Sequence, residues 1–382
     1  MKKANAFPIF MAFLAMGFGD AVGPFVGLAK EQFQLSYFEA QLIAFMGFVM
    51  FGLLSVPVGL FQDRKGKKFV LLMGLSIALA GLIIPLFGLS EYGIFLLTIL
   101  LLGAGAAILQ VAGNPIMRDV SAEGQYARNL TLGQFIKAIG SLSGSLIPFI
   151  AARWFGLDWH ILFPIYSTFL IITILWVWFT PIKENRPEQA TASLASCLAL
   201  LQNRFIGMMV MGIFVYVGAE VAISTLVPIL LSQKFGIDLA TFSLLGNAFF
   251  FIAILIGRFL GSMILGTLSP NSFFRITTLV SLLGLGLMFS NTQELVLIGI
   301  FLTGFGFANI FPLIFSITIE AKPERSNEIS GLMVTAIVGG AIIPPLMGAV
   351  ADFTSLTFGL IVPIAAIVYV LSLSLKKYRY VA

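Results

Sequence analysis

Three ionisable residues sit where the surrounding sequence is otherwise apolar. Asp20 lies in MGFGDAVGPF, Lys137 in NLTLGQFIKAIG and Glu220 in VYVGAEVAIS. Each falls inside an apolar run of about 20 residues, the length that crosses a bilayer as a helix. An ionisable group there costs roughly 2.5 to 3.5 kcal/mol on insertion scales, and by default it marks an ion or substrate pathway. A carboxylate in a half-dry cavity sits near the balance between its charged and neutral forms. Asp20 is therefore read as a coupling site for a proton or sodium, with a structural ion pair as the alternative. Glu220 is read as a ligand or coupling group, with pairing to a cation such as Arg258 as the alternative.

Amide side chains accompany these charges. Gln110, Asn114 and Arg118 recur every four residues in ILQVAGNPIM and its continuation, so they share one helix face. Gln134 and Lys137 share another, and Tyr216, Glu220 and Ser224 a third. Asn247 and Asn309, the latter just before Pro312, add two further amides. Amides both donate and accept hydrogen bonds. Such faces around one cavity suit a polyhydroxylated ligand; polar glue between helices is the competing reading.

The elements that must hold these groups follow from composition. The 382 residues are 59% hydrophobic and 10% charged, with a mean hydropathy of +1.03. Soluble domains carry about a quarter charged residues, so lipid is the solvent here. Continuous rather than alternating apolar runs predict helices. About twelve are readable: 7–28, 38–61, 69–89, 92–117, 129–152, 160–180, 204–232, 241–266, 273–290, 294–319, 327–350 and 355–375. The first has no small-residue cleavage site and reads as a retained helix rather than a signal peptide.

Charge fixes the expected orientation. Lys2, Lys3, Arg64, Lys65, Lys67, Lys68, Arg118, Arg128, Lys183, Arg186, Arg204, Arg275, Lys322, Arg325, Lys376, Lys377 and Arg379 fall on one side, Lys30, Arg153 and Lys234 on the other, and Lys137 and Arg258 inside helices. By the positive-inside rule both termini are cytoplasmic in an inner (plasma) membrane. The net charge of +5 is thus no sign of nucleic-acid binding. The single Cys197 and single His160 supply neither a disulfide nor a metal cluster. With no nucleophile–base pair either, the sequence does not read as an enzyme, and no cofactor is expected.

The chain also repeats itself. Gly19-Asp20-Ala21 and Ala219-Glu220-Val221 lie about 200 residues apart, as do Gly59 and Gly257. Pro115 and Pro148 are 33 apart, and so are Pro312 and Pro345. Two halves are expected, 1–180 and 204–382, joined by a polar cytoplasmic linker at 181–203. Repeated halves with a site at their interface are a transporter architecture. Gly140 with Gly144, and Gly339-Gly340 with Pro344-Pro345, are expected to make thin, bendable helix segments.

The basic turn GLFQDRKGKK at 59–68 resembles the loop between helices two and three of the major facilitator superfamily. ILQVAGNPIM, NLTLGQFIKAIG, VYVGAEVAIS, FANIFPLIFS and AIVGGAIIPPLMG resemble its fucose/proton symporter family, which includes fucose and glucose/galactose permeases. The resemblance implies an all-α membrane fold of twelve helices in two pseudo-symmetric six-helix bundles. It further implies alternating access and cation-coupled symport, by proton or sodium, of a hexose-type sugar. Under it the coupling residues fall on Asp20 and Glu220. The sugar-binding candidates are Gln110, Asn114, Gln134, Lys137, Tyr216, Glu220, Asn247 and Asn309; Asp63, Arg64 and Arg258 read as gates. A monomer in lipid is expected.

Two departures stand out. Fucose-type members carry a glutamate where this chain has Gln110, and an asparagine where it has Lys137. One change removes a negative charge and the other adds a positive one. Lys137 can then pair with Asp20, compete with a sodium ion there, or neutralise an acidic sugar or organic anion. A proton-coupled drug exporter is a further alternative, although helix five lacks the Gly-Pro dipeptide that exporters usually carry.

Overall fold

The computed structural model describes residues 7–20, 22–88, 91–120, 126–182, 184, 194–237, 244–264, 268–322 and 325–375. Most of these residues are helical, and none of them is in a strand. In chain order the helices are α1 (Phe7–Asp20), α2 (Val22–Phe33), α3 (Tyr37–Lys65), α4 (Lys67–Ile83), α5 (Tyr92–Val120), α6 (Tyr126–Phe155) and α7 (Leu162–Phe179). A short α8 (Leu194–Leu200) precedes α9 (Arg204–Phe235), α10 (Leu244–Ile264), α11 (Pro270–Leu287), α12 (Gln293–Phe307) and α13 (Ile310–Ala321). The chain continues through α14 (Ser326–Thr335), α15 (Gly339–Phe353), α16 (Leu356–Gly359) and α17 (Ile361–Ser374). Among the described residues nine helical stretches are long and apolar enough to cross a membrane, and Phe7–Gly19 and Ala248–Gly261 are shorter apolar helices. In hydrocarbon a helix is the one open-chain structure that satisfies its own backbone.

The chain forms two compact units. The first comprises Met1–Val22 and Met46–Thr191; the second comprises Gly23–Phe45 and Ala192–Ala382. The long helix α3 therefore begins in the second unit and ends in the first.

In the first unit α1 crosses α6 at glycines. A Cβ on Gly17 would lie 2.7 Å from the Ser141 amide nitrogen and 2.8 Å from the Gly140 Cα, and would also meet the Lys137 carbonyl. Without a Cβ on either side, the two backbones touch. Phe18 of α1 stacks on the buried Tyr166 of α7, with ring centroids 3.8 Å apart, and Tyr166 in turn shares a 2.7 Å hydrogen bond with Ser143 of α6. The basic turn is built on Gly66, whose φ of 94° suits a residue with no Cβ. It separates α3 from α4. Glu184 caps α4 by accepting the amides of Lys67 and Lys68, each at 2.9 Å. A carboxylate at that end satisfies orphan N–H groups and meets the positive end of the helix dipole. The Lys67 ammonium pairs with Asp119 of α5 at 2.6 Å.

In the second unit α9 is the central helix, packed by α10, α13, α15 and α17. A 3₁₀ turn at Ala336–Val338 divides α14 from α15, immediately before Gly339. A Cβ on Gly339 would collide with the Phe214 carbonyl of α9. The segment expected to be thin is therefore where α15 meets α9 backbone to backbone. Pro344 and Pro345 lie inside α15.

Candidate functional site

The first unit brings Gln110 and Lys137 together. Both are half-buried, and the Lys137 Nζ donates to the Gln110 Oε1 at 3.3 Å. The Lys137 carbonyl accepts from the Ser141 hydroxyl at 3.3 Å and lies against Gly17 of α1. Asp20 is three residues beyond Gly17 on α1, one helical turn from this crossing. Gly19 faces Ala106 of α5, one turn before Gln110. α1 and α5 run antiparallel, Gly19 facing Ala106 and Met16 facing Gly113, so Gln110 and Lys137 lie level with Met16 and Gly17, and the position of Asp20 is about one turn further along α1. Gln134, half-buried, is one turn earlier on α6. The side chains of Asp20, Asp63, Asn114 and Asn247 lie outside the described residues.

The second unit builds its polar cluster around a helix break. Residue 312 is a proline, which has no N–H to give the Ala308 carbonyl. There α12 ends and α13 begins, with Ala308 and Asn309 in a turn between them. Side chains take up the polar groups around this break. The fully buried Tyr216 of α9 donates its hydroxyl to the Phe307 carbonyl at 2.8 Å. The Arg258 Nε of α10 reaches the Ala308 carbonyl at 3.4 Å, where its charge suits the negative end of α12. The Asn309 amide, 5% exposed, donates to the Gly257 carbonyl at 2.8 Å. Glu220 lies one turn from Tyr216 and shares a hydrogen bond with its side chain, with Arg258 in electrostatic range. Ser224, one turn further, is buried and donates to the Val221 carbonyl at 2.9 Å. Arg64, on the last turn of α3, is exposed. Among the described residues no cluster of His, Cys, Asp and Glu is suited to a metal ion.

Several polar partners escaped the sequence reading. Asp352, Gln41, Glu184 and Asp119 each hold a contact across a long sequence separation. Their only prior signal was position: a charge or amide at a helix end beside an apolar run.

Membrane-spanning helices that bring ionisable and amide side chains together in this way define a transporter class of protein. The Major Facilitator Superfamily matches the chain over residues 9–229 and 208–380. The chain belongs to that superfamily: it is a multi-pass membrane transporter, not an enzyme. It is similar to a Brucella abortus glucose/galactose transporter, 28% identical over 89% of this chain and 86% of the relative. It is also similar to an Escherichia coli L-fucose-proton symporter, 22% identical over 85% of this chain and 81% of the relative. In fold it resembles the crystal structure of the E. coli fucose:proton symporter, with a TM-score of 0.68 at 20% identity and 98% of each chain covered.

Proposed function

We propose that the chain is a secondary active transporter that takes up a hexose-type sugar by cation-coupled symport and alternating access. The names of its relatives support a sugar as substrate, and the fucose-proton symporter supports a proton as the coupling ion. The observation that carries the reading is the polar tier of the first unit, where Lys137 meets Gln110 beside the α1–α6 crossing. Asp20 is the coupling carboxylate and Glu220 its counterpart in the other half. Gln110, Asn114, Gln134, Lys137, Tyr216, Glu220, Asn247 and Asn309 serve the sugar, and Asp63, Arg64 and Arg258 serve as gates. The halves 1–180 and 204–382, the linker 181–203, cytoplasmic termini, the inner membrane and a monomeric state complete the proposal.

Uptake of labelled sugars into proteoliposomes, with proton or sodium gradients imposed separately, tests the coupling. Asp20→Asn keeps exchange of labelled sugar across the membrane and loses uphill accumulation. Full accumulation by that variant removes Asp20 from the coupling role. A second reading, uptake of an acidic sugar, is favoured by the half-buried Lys137 ammonium. Lys137→Asn with unchanged preference between neutral and acidic sugars excludes it.

A further inference from the structure

The amino end of α3 is held by residues far from it in sequence. Asp352, on the last turn of α15, accepts the Tyr37 amide at 2.7 Å and the Phe38 amide at 2.8 Å, one with each carboxylate oxygen. These are the first N–H groups of α3, which have no partner within the helix. The local cap is already complete without Asp352. The Ser36 hydroxyl accepts from the Glu39 amide at 3.2 Å, and Glu39 accepts from the Ser36 amide at 2.9 Å.

Three further contacts tie the same turns of α3 to α9 and α15. The Tyr37 hydroxyl donates to the Gln233 side chain. The Thr225 hydroxyl donates to the Gln41 Oε1 at 2.8 Å, and both groups are buried. Gly348 of α15 admits the Tyr37 carbonyl, which a Cβ there would meet at 2.7 Å. The Lys30 ammonium lies 4.4 Å from the centre of the Tyr37 ring.

Two features suit these contacts to release. Asp352, Phe38 and Gln233 are exposed, so water can replace the protein partner when their bonds open, while the Gln41–Thr225 bond beneath them is buried. And α3 is one helix of 29 residues whose first part, to Phe45, belongs to the second unit and whose remainder, from Met46, belongs to the first. The bonds at its first two turns must therefore yield if the whole of α3 is to move with the first unit.

We propose that Asp352, with Tyr37, Gln41, Gln233 and Thr225, forms a releasable latch that clasps the amino end of α3 in one transport state and opens in the other. The latch rests on the alternating-access reading and adds the residues that must part during the cycle. Given the expected orientation, it lies at the outer face.

Two measurements on the full chain, with Cys197→Ser as background, test it. In the first, Ser224→Cys, buried beside Gly23 and adjacent to Thr225 of the latch, reports opening through its labelling by an impermeant maleimide. Asp352→Ala, which removes both acceptor oxygens, is expected to speed that labelling about fivefold, the equivalent of roughly 1 kcal/mol for a lost helix cap. In the second, Phe38→Cys and Asp352→Cys are joined by a short bifunctional methanethiosulfonate. Net sugar uptake is expected to stop and to return on reduction. Unchanged labelling, or undiminished uptake by fully cross-linked protein, overturns the latch while leaving sugar transport standing. Absence of sugar uptake in the parent protein overturns the functional reading instead, and the labelling experiment still decides the latch.

Discussion

Replacing Gln110 with glutamate tests the polar tier directly. The Lys137 Nζ is 3.3 Å from the Gln110 Oε1, so Gln110→Glu sets a full negative charge against the ammonium with little movement. At an effective dielectric of about 20, Coulomb's law gives an attraction of about 5 kcal/mol at this separation. Placing the new carboxylate within the membrane costs roughly 2.5 to 3.5 kcal/mol. The net gain is about 2 kcal/mol, or roughly thirtyfold in an equilibrium constant. The pair then occupies Lys137. A substrate or inhibitor that needs the lysine charge should bind roughly thirtyfold more weakly, while neutral sugars are affected far less. Competition of acidic and neutral sugars against labelled glucose uptake reads the ratio, and the melting temperature in detergent reads the new ion pair. An unchanged competition ratio together with an unchanged melting temperature would refute the proximity argument, because a charge 3.3 Å from an ammonium cannot be silent in both.

Two further substitutions probe the supports of the site. Tyr216→Phe strands the Phe307 carbonyl in the protein interior, and should destabilise the detergent-solubilised protein by about 1 kcal/mol. Sugar affinity should fall as well if Glu220 depends on that hydroxyl, and binding measured by scintillation proximity checks this. Glu184→Ala removes the cap on α4 and should cost about 1 kcal/mol in thermal stability, with sugar affinity unchanged.

The helices were legible because their apolar runs are long and uninterrupted, and lipid leaves few alternatives to a helix. The structure adds where they break. The run expected at 294–319 is two helices, α12 and α13, and the run at 327–350 is α14 and α15 around a 3₁₀ turn. Pro312 signalled the first break. Nothing in the local sequence signals the second, because the close approach of Gly339 to Phe214 is a property of packing, not of propensity. The shared face of Gln134 and Lys137 followed from helical spacing alone, but the Lys137–Gln110 contact joins two helices, and no periodicity encodes that. For the same reason the grip of Asp352 on Tyr37 and Phe38, across more than 300 residues, left no trace in the sequence.

The break at residues 308–309 changes how the polar residues of the second unit are understood. Read singly, Tyr216, Arg258 and Asn309 are a sugar ligand, a gate and another sugar ligand. In the structure all three bond to backbone carbonyls at or beside the break: Phe307, Ala308 and Gly257. Tyr216 and Arg258 thus brace the α12–α13 junction, and Glu220 meets both, bonded to the Tyr216 side chain and within electrostatic range of Arg258. Glu220→Gln keeps the size of the side chain and removes the charge that faces Arg258, so the detergent-solubilised protein should melt lower and bind sugar more weakly. A melting temperature and a sugar affinity both equal to the parent's would break the link between Glu220 and the junction.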